Sequence, residues 1–229
     1  MNYSWNFTAL SSYVPLWWRG LLNTCSLSLA AIVVGSILAV VILAARRSPY
    51  RLVNRSARLY VDIFRALPVF VLLSLIFFVV PIIAGIRLSA WQSALWAFAL
   101  NLAPFVAECI RAGLDSVPVV QFESGKVLGL SNRQIFRYII APQAAQRIIP
   151  SLLGEYITTI KLTSLASVIG VEEIWNVGGQ IVSRTSLTIE ARLVSSLLYV
   201  AIILPLIWWL KRLEKRLGTR GLVAGLSPS

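Results

Sequence analysis

Glu155 and Lys161 stand inside a stretch, residues 148–171, that is otherwise apolar and hydroxyl-bearing, in company with Thr159, Thr163, Ser164 and Ser167. On an unbroken helix, about 100° per residue places Glu155, Thr159, Thr163 and Ser167 in one stripe and Lys161 with Ser164 in a neighbouring one. Glu155 and Lys161 themselves fall about 240° apart, so they cannot pair across one helix face. A carboxylate on one side, with an ammonium and hydroxyls on the other, can receive both poles of a zwitterion. Glu155 would take an ammonium or a basic side chain, and the Lys161, Thr163 and Ser164 region a carboxylate. The structural alternative is that each pairs with a charge on another segment, such as Arg65 or Arg111. Glu108 and Arg111, at i and i+3, are expected to pair with each other.

Other chemistries lack their parts. The chain has no His, and Cys25 and Cys109 are isolated within apolar runs, so no metal site is expected and both read as small hydrophobes. No Gly-x-x-x-x-Gly-Lys-[Ser/Thr] pattern is present to cradle nucleotide phosphates. Without clustered acids or an activated nucleophile, no catalytic residue is expected and a membrane enzyme has nothing to work with.

The elements that position these residues follow from composition. Apolar residues make up 58% and charged residues 13% of the 229, against about half and about a quarter in soluble domains. Mean hydropathy is +0.79. The surplus exceeds what one buried core absorbs, so the missing solvent is lipid. The net charge of +12 could suggest nucleic acid. Its distribution argues against that, because the basic residues fall in short runs between apolar stretches.

About twenty residues of helix cross a bilayer, and five windows serve: 21–45, 67–84, 90–110, 148–171 and 193–210. Arg46 to Arg65 follow the first, Arg111 to Arg147 follow the third and Lys211 to Arg220 follow the last, which puts 16 of the 21 basic residues on one side. Positive-inside bias therefore predicts an all-α, polytopic membrane protein with five transmembrane helices, the amino terminus outside and the carboxyl terminus cytoplasmic. Residues 1–20 are expected to form an external interfacial segment anchored by Trp5, Phe7, Trp17 and Trp18. They carry no basic run ahead of the first apolar residues, so a cleavable signal is not expected. Residues 21–217 are expected to form one transmembrane domain and 218–229 a cytoplasmic tail.

The connection at about 113–150 is longer than its neighbours require, and it carries its own helix punctuation. Ser116 and Pro118 can open a short helix that Gly129 ends. Ser131 with Gln134 has the spacing of a capping box for a second helix, which Pro142 ends or bends. Val119, Phe122 and Lys126 share a face of the first helix, with Glu123 beside them. This apolar knob suits docking to a partner protein; a helix lying on anionic lipid is the other reading.

Glu123-Ser124-Gly125, Gly129 and Ile140-Ala141-Pro142 resemble the EAA motif of permeases in binding-protein-dependent ATP-binding-cassette importers. The flanks, Ala107 to Gly113 and Ser116-Val117-Pro118 before it, Pro142-Gln143-Ala144 and Lys161 to Gly170 after it, are similar to the polar amino-acid branch: histidine, glutamine, arginine and opine permeases. The likeness covers about 21–217. It implies that Phe122, Glu123, Ser124, Gly125, Lys126, Gly129 and Leu130 form a coupling helix docking into an ATPase. It also implies a second permease, identical or paralogous, two ATPase subunits, an external binding protein and a polar amino-acid or opine substrate. The setting would be the bacterial inner membrane. No cofactor is implied in this chain, and ATP and Mg are expected on the partner ATPase.

Two departures stand out. Ser124 and Gly125 replace the usual alanines, so the coupling helix is expected to be less rigid before docking. Phe64-Arg65-Ala66-Leu67-Pro68 replaces the branch's Phe-Arg-Gly-Thr-Pro, with no Gln after it, which leaves the substrate open. An ion-coupled transporter or channel is the alternative function; five spans without paired inverted halves speak against it.

Overall fold

The computed structural model describes residues 4–217, and the described residues contain helices and turns without a strand. A 3-10 turn, Thr8–Tyr13, leads into α1, Val14–Arg46. Pro15 sits in the first turn, where its missing N–H leaves no hydrogen bond unmade. The helix buries a stripe of mostly small residues: Gly20, Thr24, Ser28, Ala31, Gly35 and Ala39. Lipid tails are as apolar as leucine, so helices in a bilayer associate through close backbone approach, which small residues permit. Beyond Gly20 and Thr24, which meet residues 173–177, the facing element is α5, Ala90–Asp115, which buries Ala94, Ala97, Phe98, Leu102 and Val106. A Cβ on Gly35 would lie 3.0 Å from the Ala99 carbonyl oxygen.

The second apolar window is the far arm of a broken helix. α2, Arg51–Ala66, meets the run Val69–Ala84 at a 105° bend. That run comprises α3, Val69–Ser74, a π-helical turn, Leu75–Val79, and α4, Val80–Ala84. Pro68 makes the bend: it holds Leu67 extended (ψ 127°) and cannot donate into a continuing helix. The Arg-bearing connection expected after the first span is therefore itself helical. Arg51, Arg55, Arg58, Asp62 and Arg65 recur at helical spacing on an exposed ribbon, while Ala57 and Val61 are buried. A window average merges that ribbon with the buried face and so hides the helix.

α5 opens on a capping box, with Gln92 N–H donating to Ser89 Oγ at 3.2 Å and Ser89 N–H to Gln92 Oε1 at 2.9 Å. Beyond it come α6, Val119–Val127, and a helical run, Asn132–Ile169, made of α7, Asn132–Ile135, a π turn, Phe136–Ile140, α8, Ala141–Leu162, and a 3-10 turn, Thr163–Ile169. Of the two outcomes expected at Pro142, an end or a bend, the run does not end there but is interrupted by the π turn. Pro142 lies in the first turn of α8, directly after the π turn, whose wider backbone accommodates the missing N–H. α9, Ile174–Thr185, and α10, Thr188–Leu217, complete the described residues.

Among the described residues, four helical stretches are long and apolar enough to cross a membrane, Thr8–Arg46, Ala90–Asp115, Asn132–Ile169 and Thr188–Leu217. The expected five are reached when the bent pair counts as one span. α1 begins at Val14, inside the segment expected to precede the first span. Trp17 is buried with Ile174, Val177, Ile181 and Ala191 rather than facing lipid, because α9 lies over it. Trp5, Phe7 and Trp18 are exposed. The tail expected at 218–229 lies outside the described residues.

Gly178 of α9 sits where that packing is closest: a Cβ there would stand 2.2 Å from Ser195 Oγ and 3.3 Å from the Trp17 ring. Gly178→Val is expected to lower stability by about 1–3 kcal/mol, the usual cost of overpacking. Thermal unfolding in detergent checks this, and an unchanged midpoint would contradict the packing.

Candidate functional site

Glu155, on α8, opens into a cavity of about 480 Å³ between α2, α5 and α8, within the range of small-molecule sites. Arg65, Phe105, Glu108, Arg111 and Arg147 share its walls. Glu108 accepts from Arg111 Nε and Nη2 at 2.9 and 2.7 Å, the pairing expected from sequence, and also pairs with Arg46 at the end of α1. Arg111 further donates to Asp115 at 2.7 Å, and Arg147 to the Ser116 carbonyl at 3.1 Å. These charges are satisfied locally. Arg65 lies over the Phe105 ring, 5.6 Å from its centroid. Neither Arg65 nor Glu155 has an ion-pair partner among the described residues. Arg147 likewise has no carboxylate partner among the described residues, so the cavity presents one carboxylate and two guanidiniums without an ion pair, a polar lining in a region where unpaired charge facing lipid is costly.

Lys161 and Ser164 line a different cavity of about 360 Å³, with Trp175, Ser196, Tyr199 and Ile203. Six residues of helix set Glu155 and Lys161 about 9 Å apart along the axis and on different sides. The structure therefore does not bring Glu155 together with Lys161, Thr163 and Ser164. Thr163 is fully buried, donating to the Ile160 carbonyl at 2.7 Å and lying 3.2 Å from the Tyr199 oxygen. Ser164 donates to the Lys161 carbonyl at 2.9 Å. Both hydroxyl protons are already used by the helix end, which leaves the Lys161 ammonium as the donor for an anion.

Sequence reasoning missed the centre of the neighbouring polar cluster. Glu173 is fully buried and caps α9, accepting from Trp175 N–H at 2.8 Å and Asn176 N–H at 2.7 Å. Tyr199 donates to it at 2.6 Å. Thr24 of α1 accepts from the Ile174 N–H at 3.2 Å. Burial pushes the Glu173 carboxyl above its ordinary value, against the pull of these donors. The available signal was an acidic residue after Gly170, immediately before a helical apolar pattern.

At the opposite end of the bundle, α6 exposes Val119, Val120 and Val127, and Leu128 beyond it, with relative exposures of 72, 56, 88 and 73%. Glu123, Ser124 and Lys126 are also exposed, and the Lys126 ammonium lies 4.9 Å from the centroid of the half-buried Phe122 ring. Gly129 adopts φ 74°, and the Leu130 N–H returns to the Gly125 carbonyl at 3.1 Å, closing the helix. Gly125 is buried: a Cβ would meet Ile135 at 2.7 Å and Ile139 at 3.2 Å, so its small size serves the contact with the second helix. Ser131 and Gln134 form the expected capping box. Gly113 and Ser116, just before α6, belong to the wall of the Glu155 cavity.

Residues 18–219 match the family described as binding-protein-dependent transport system inner membrane component. The octopine transport system permease protein OccM of Rhizobium radiobacter is 32% identical, over 80% of this chain and 76% of that protein. The L-cystine transport system permease protein TcyL of Bacillus subtilis is 28% identical, over 95% and 93%. Among solved structures, a chain of an amino acid ABC transporter with histidines superposes with a TM-score of 0.86 at 29% identity, over 93% of this chain and all of that one.

Glu173→Leu removes the cap of α9 and orphans the Tyr199 hydroxyl. A loss of roughly 2–4 kcal/mol is expected, from the cap and the buried donor together. Amide hydrogen exchange in α9 reads it directly. Protection unchanged from the wild type would remove Glu173 from this role.

Proposed function

Because this chain belongs to the family of binding-protein-dependent transport system inner membrane components, we propose that it lines the route by which a polar amino acid or opine enters the bacterial cell, drawing on ATP hydrolysed by a separate subunit. It is a permease component and not an enzyme. The working assembly has two permeases, two ATPases that hold ATP and Mg, and an external binding protein. The arginine-rich connections support an orientation with the amino terminus outside and the carboxyl terminus in the cytoplasm. Residues 21–217 act as one permease domain, with 1–20 on the external side and 218–229 in the cytoplasm.

The observation that carries this reading is α6. Its apolar end projects from the bundle with Val127 and Leu128 uncovered, and residues lining the charged cavity immediately precede it in the chain. Phe122, Glu123, Ser124, Gly125, Lys126, Gly129 and Leu130 form the segment that couples to the ATPase, with Gly125 buried on its inner side against Ile135. Force applied to that short helix acts on the cavity wall at Gly113 and Ser116. The relatives' substrates, octopine and L-cystine, are both amino-acid derivatives carrying ammonium and carboxylate groups, which supports a zwitterionic cargo. Glu155 receives the ammonium, and Arg65 stands across the same cavity for a carboxylate. Lys161 with Ser164 forms a second station in the other cavity, and Thr163 supports it through Tyr199.

In the reconstituted complex, ATP hydrolysis is expected to rise when the binding protein delivers polar amino acids and not when it delivers sugars or peptides. Gly129→Val forces a β-branched residue into a left-handed conformation that costs about 1–2 kcal/mol or more. It is expected to abolish that stimulation while the complex still assembles; full stimulation would refute the coupling role. Glu155→Gln is expected to weaken substrate-stimulated transport about ten- to a hundredfold, the worth of a charged hydrogen bond. Unchanged uptake would take Glu155 out of the route.

A further inference from the structure

The junction of α1 and α2 carries a feature that transport does not use. After Arg46 the chain turns through four residues and starts α2 at Arg51. Ser48, Pro49, Arg51, Asn54, Arg55 and Arg58 line a cavity of about 350 Å³, and no carboxylate is among them. Arg51, Arg55 and Arg58 follow at i, i+4 and i+7, so their guanidinium groups share one helix face. All three are exposed, and none makes an ion pair with a described residue. Like charges at this spacing destabilise a helix, so the arrangement needs an anion to offset it. Asn54 is held in place by donating to the Arg46 carbonyl. Ser48 Oγ accepts from the Tyr50 N–H at 3.3 Å, so its own proton remains for a ligand.

We infer that this pocket binds the phosphate of an anionic phospholipid, with the acyl chains running along the apolar side of α2. Arg51, Arg55 and Arg58 hold the phosphate oxygens and Ser48 donates to them, since guanidinium forks match phosphate geometry. Tyr50 and Leu52 border the pocket at 73 and 78% exposure, and Leu59 and Ile63 continue the apolar strip at 59 and 45%. A free phosphate would make no use of that strip; a diacyl lipid would. The pocket lies where α1 ends, the depth of a headgroup beside a membrane-spanning helix. The proposed orientation enters only in naming the cytoplasmic leaflet as the lipid's source.

The test is native mass spectrometry of the purified, assembled transporter titrated with phosphatidylglycerol, with phosphatidylcholine as the uncharged comparison. Wild type is expected to retain phosphatidylglycerol preferentially. The triple variant Arg51→Gln, Arg55→Gln, Arg58→Gln is expected to bind it about a hundredfold more weakly, at roughly fivefold per arginine. The single variant Arg55→Gln, which perturbs the fold least, is expected to show about a fivefold loss. Arg133→Gln with Arg137→Gln, on the helix beyond α6, is expected to change nothing. Equal retention by the glutamine variants would overturn the site, and equal loss in the Arg133 and Arg137 variant would reduce it to general surface charge. Displacement of the lipid by inorganic phosphate alone would assign the pocket to a free anion and overturn the lipid. Lipid occupancy is read without uptake, so it stands or falls independently of the transport reading.

Discussion

A charge taken into hydrocarbon must keep either a partner or a path to water, and this constraint arranges the polar groups of the chain. Glu108 is clamped by two arginines from different helices, which ties the end of α1 to α5. Glu173 is buried but receives three donors, two from the helix it caps and one from Tyr199. Arg65 and Glu155 have no such partner among the described residues and face a cavity instead. The satisfied charges hold helices together; Arg65 and Glu155, left open, line the cavity between α2, α5 and α8.

The second consequence is mechanical. Small residues let α1 and α5 approach until a single Cβ on Gly35 would press on backbone, so this pair behaves as one rigid unit. The elements around it are interrupted. α2 breaks from α3 by 105° at Pro68, and two π turns precede Pro81 and Pro142. Interruptions of the hydrogen-bond ladder are where helices yield. The charged cavity lies between the rigid pair and these yielding segments, bounded by α5 on one side and by the end of α2 and α8 on the other.

Hydropathy made much of this legible, because lipid demands twenty apolar residues in a row and four stretches supply them. Local rules also carried far: Gly129 for a left-handed residue, and Ser131 with Gln134 for a helix start, are decided within a few positions. What escaped the sequence depends on alternation within a mixed segment or on distant partners. α2 was hidden because its arginines raise the average polarity of a helix whose other face is buried. α9 was read as part of an external connection, although Glu173 before an apolar pattern could have announced it. The angular separation of Glu155 and Lys161 was readable, but that separate cavities lie on the two sides depends on α2 and α10, which no local pattern places.

One face of the bundle is closed by contacts between elements far apart in the chain. Asn6 donates to Glu190 at 3.0 Å, Asn23 to the Glu172 carbonyl at 2.9 Å, and Thr24 accepts from Ile174. Those partners are separated by 184, 149 and 150 residues. A ribosome delivers residues in order, so the first helix must wait in the bilayer, its polar groups provisionally hydrated, until the last one has been inserted. Biogenesis therefore includes a late docking step at that face, and a chain truncated before α9 would leave Trp17 and Thr24 without the cover they have in the finished protein.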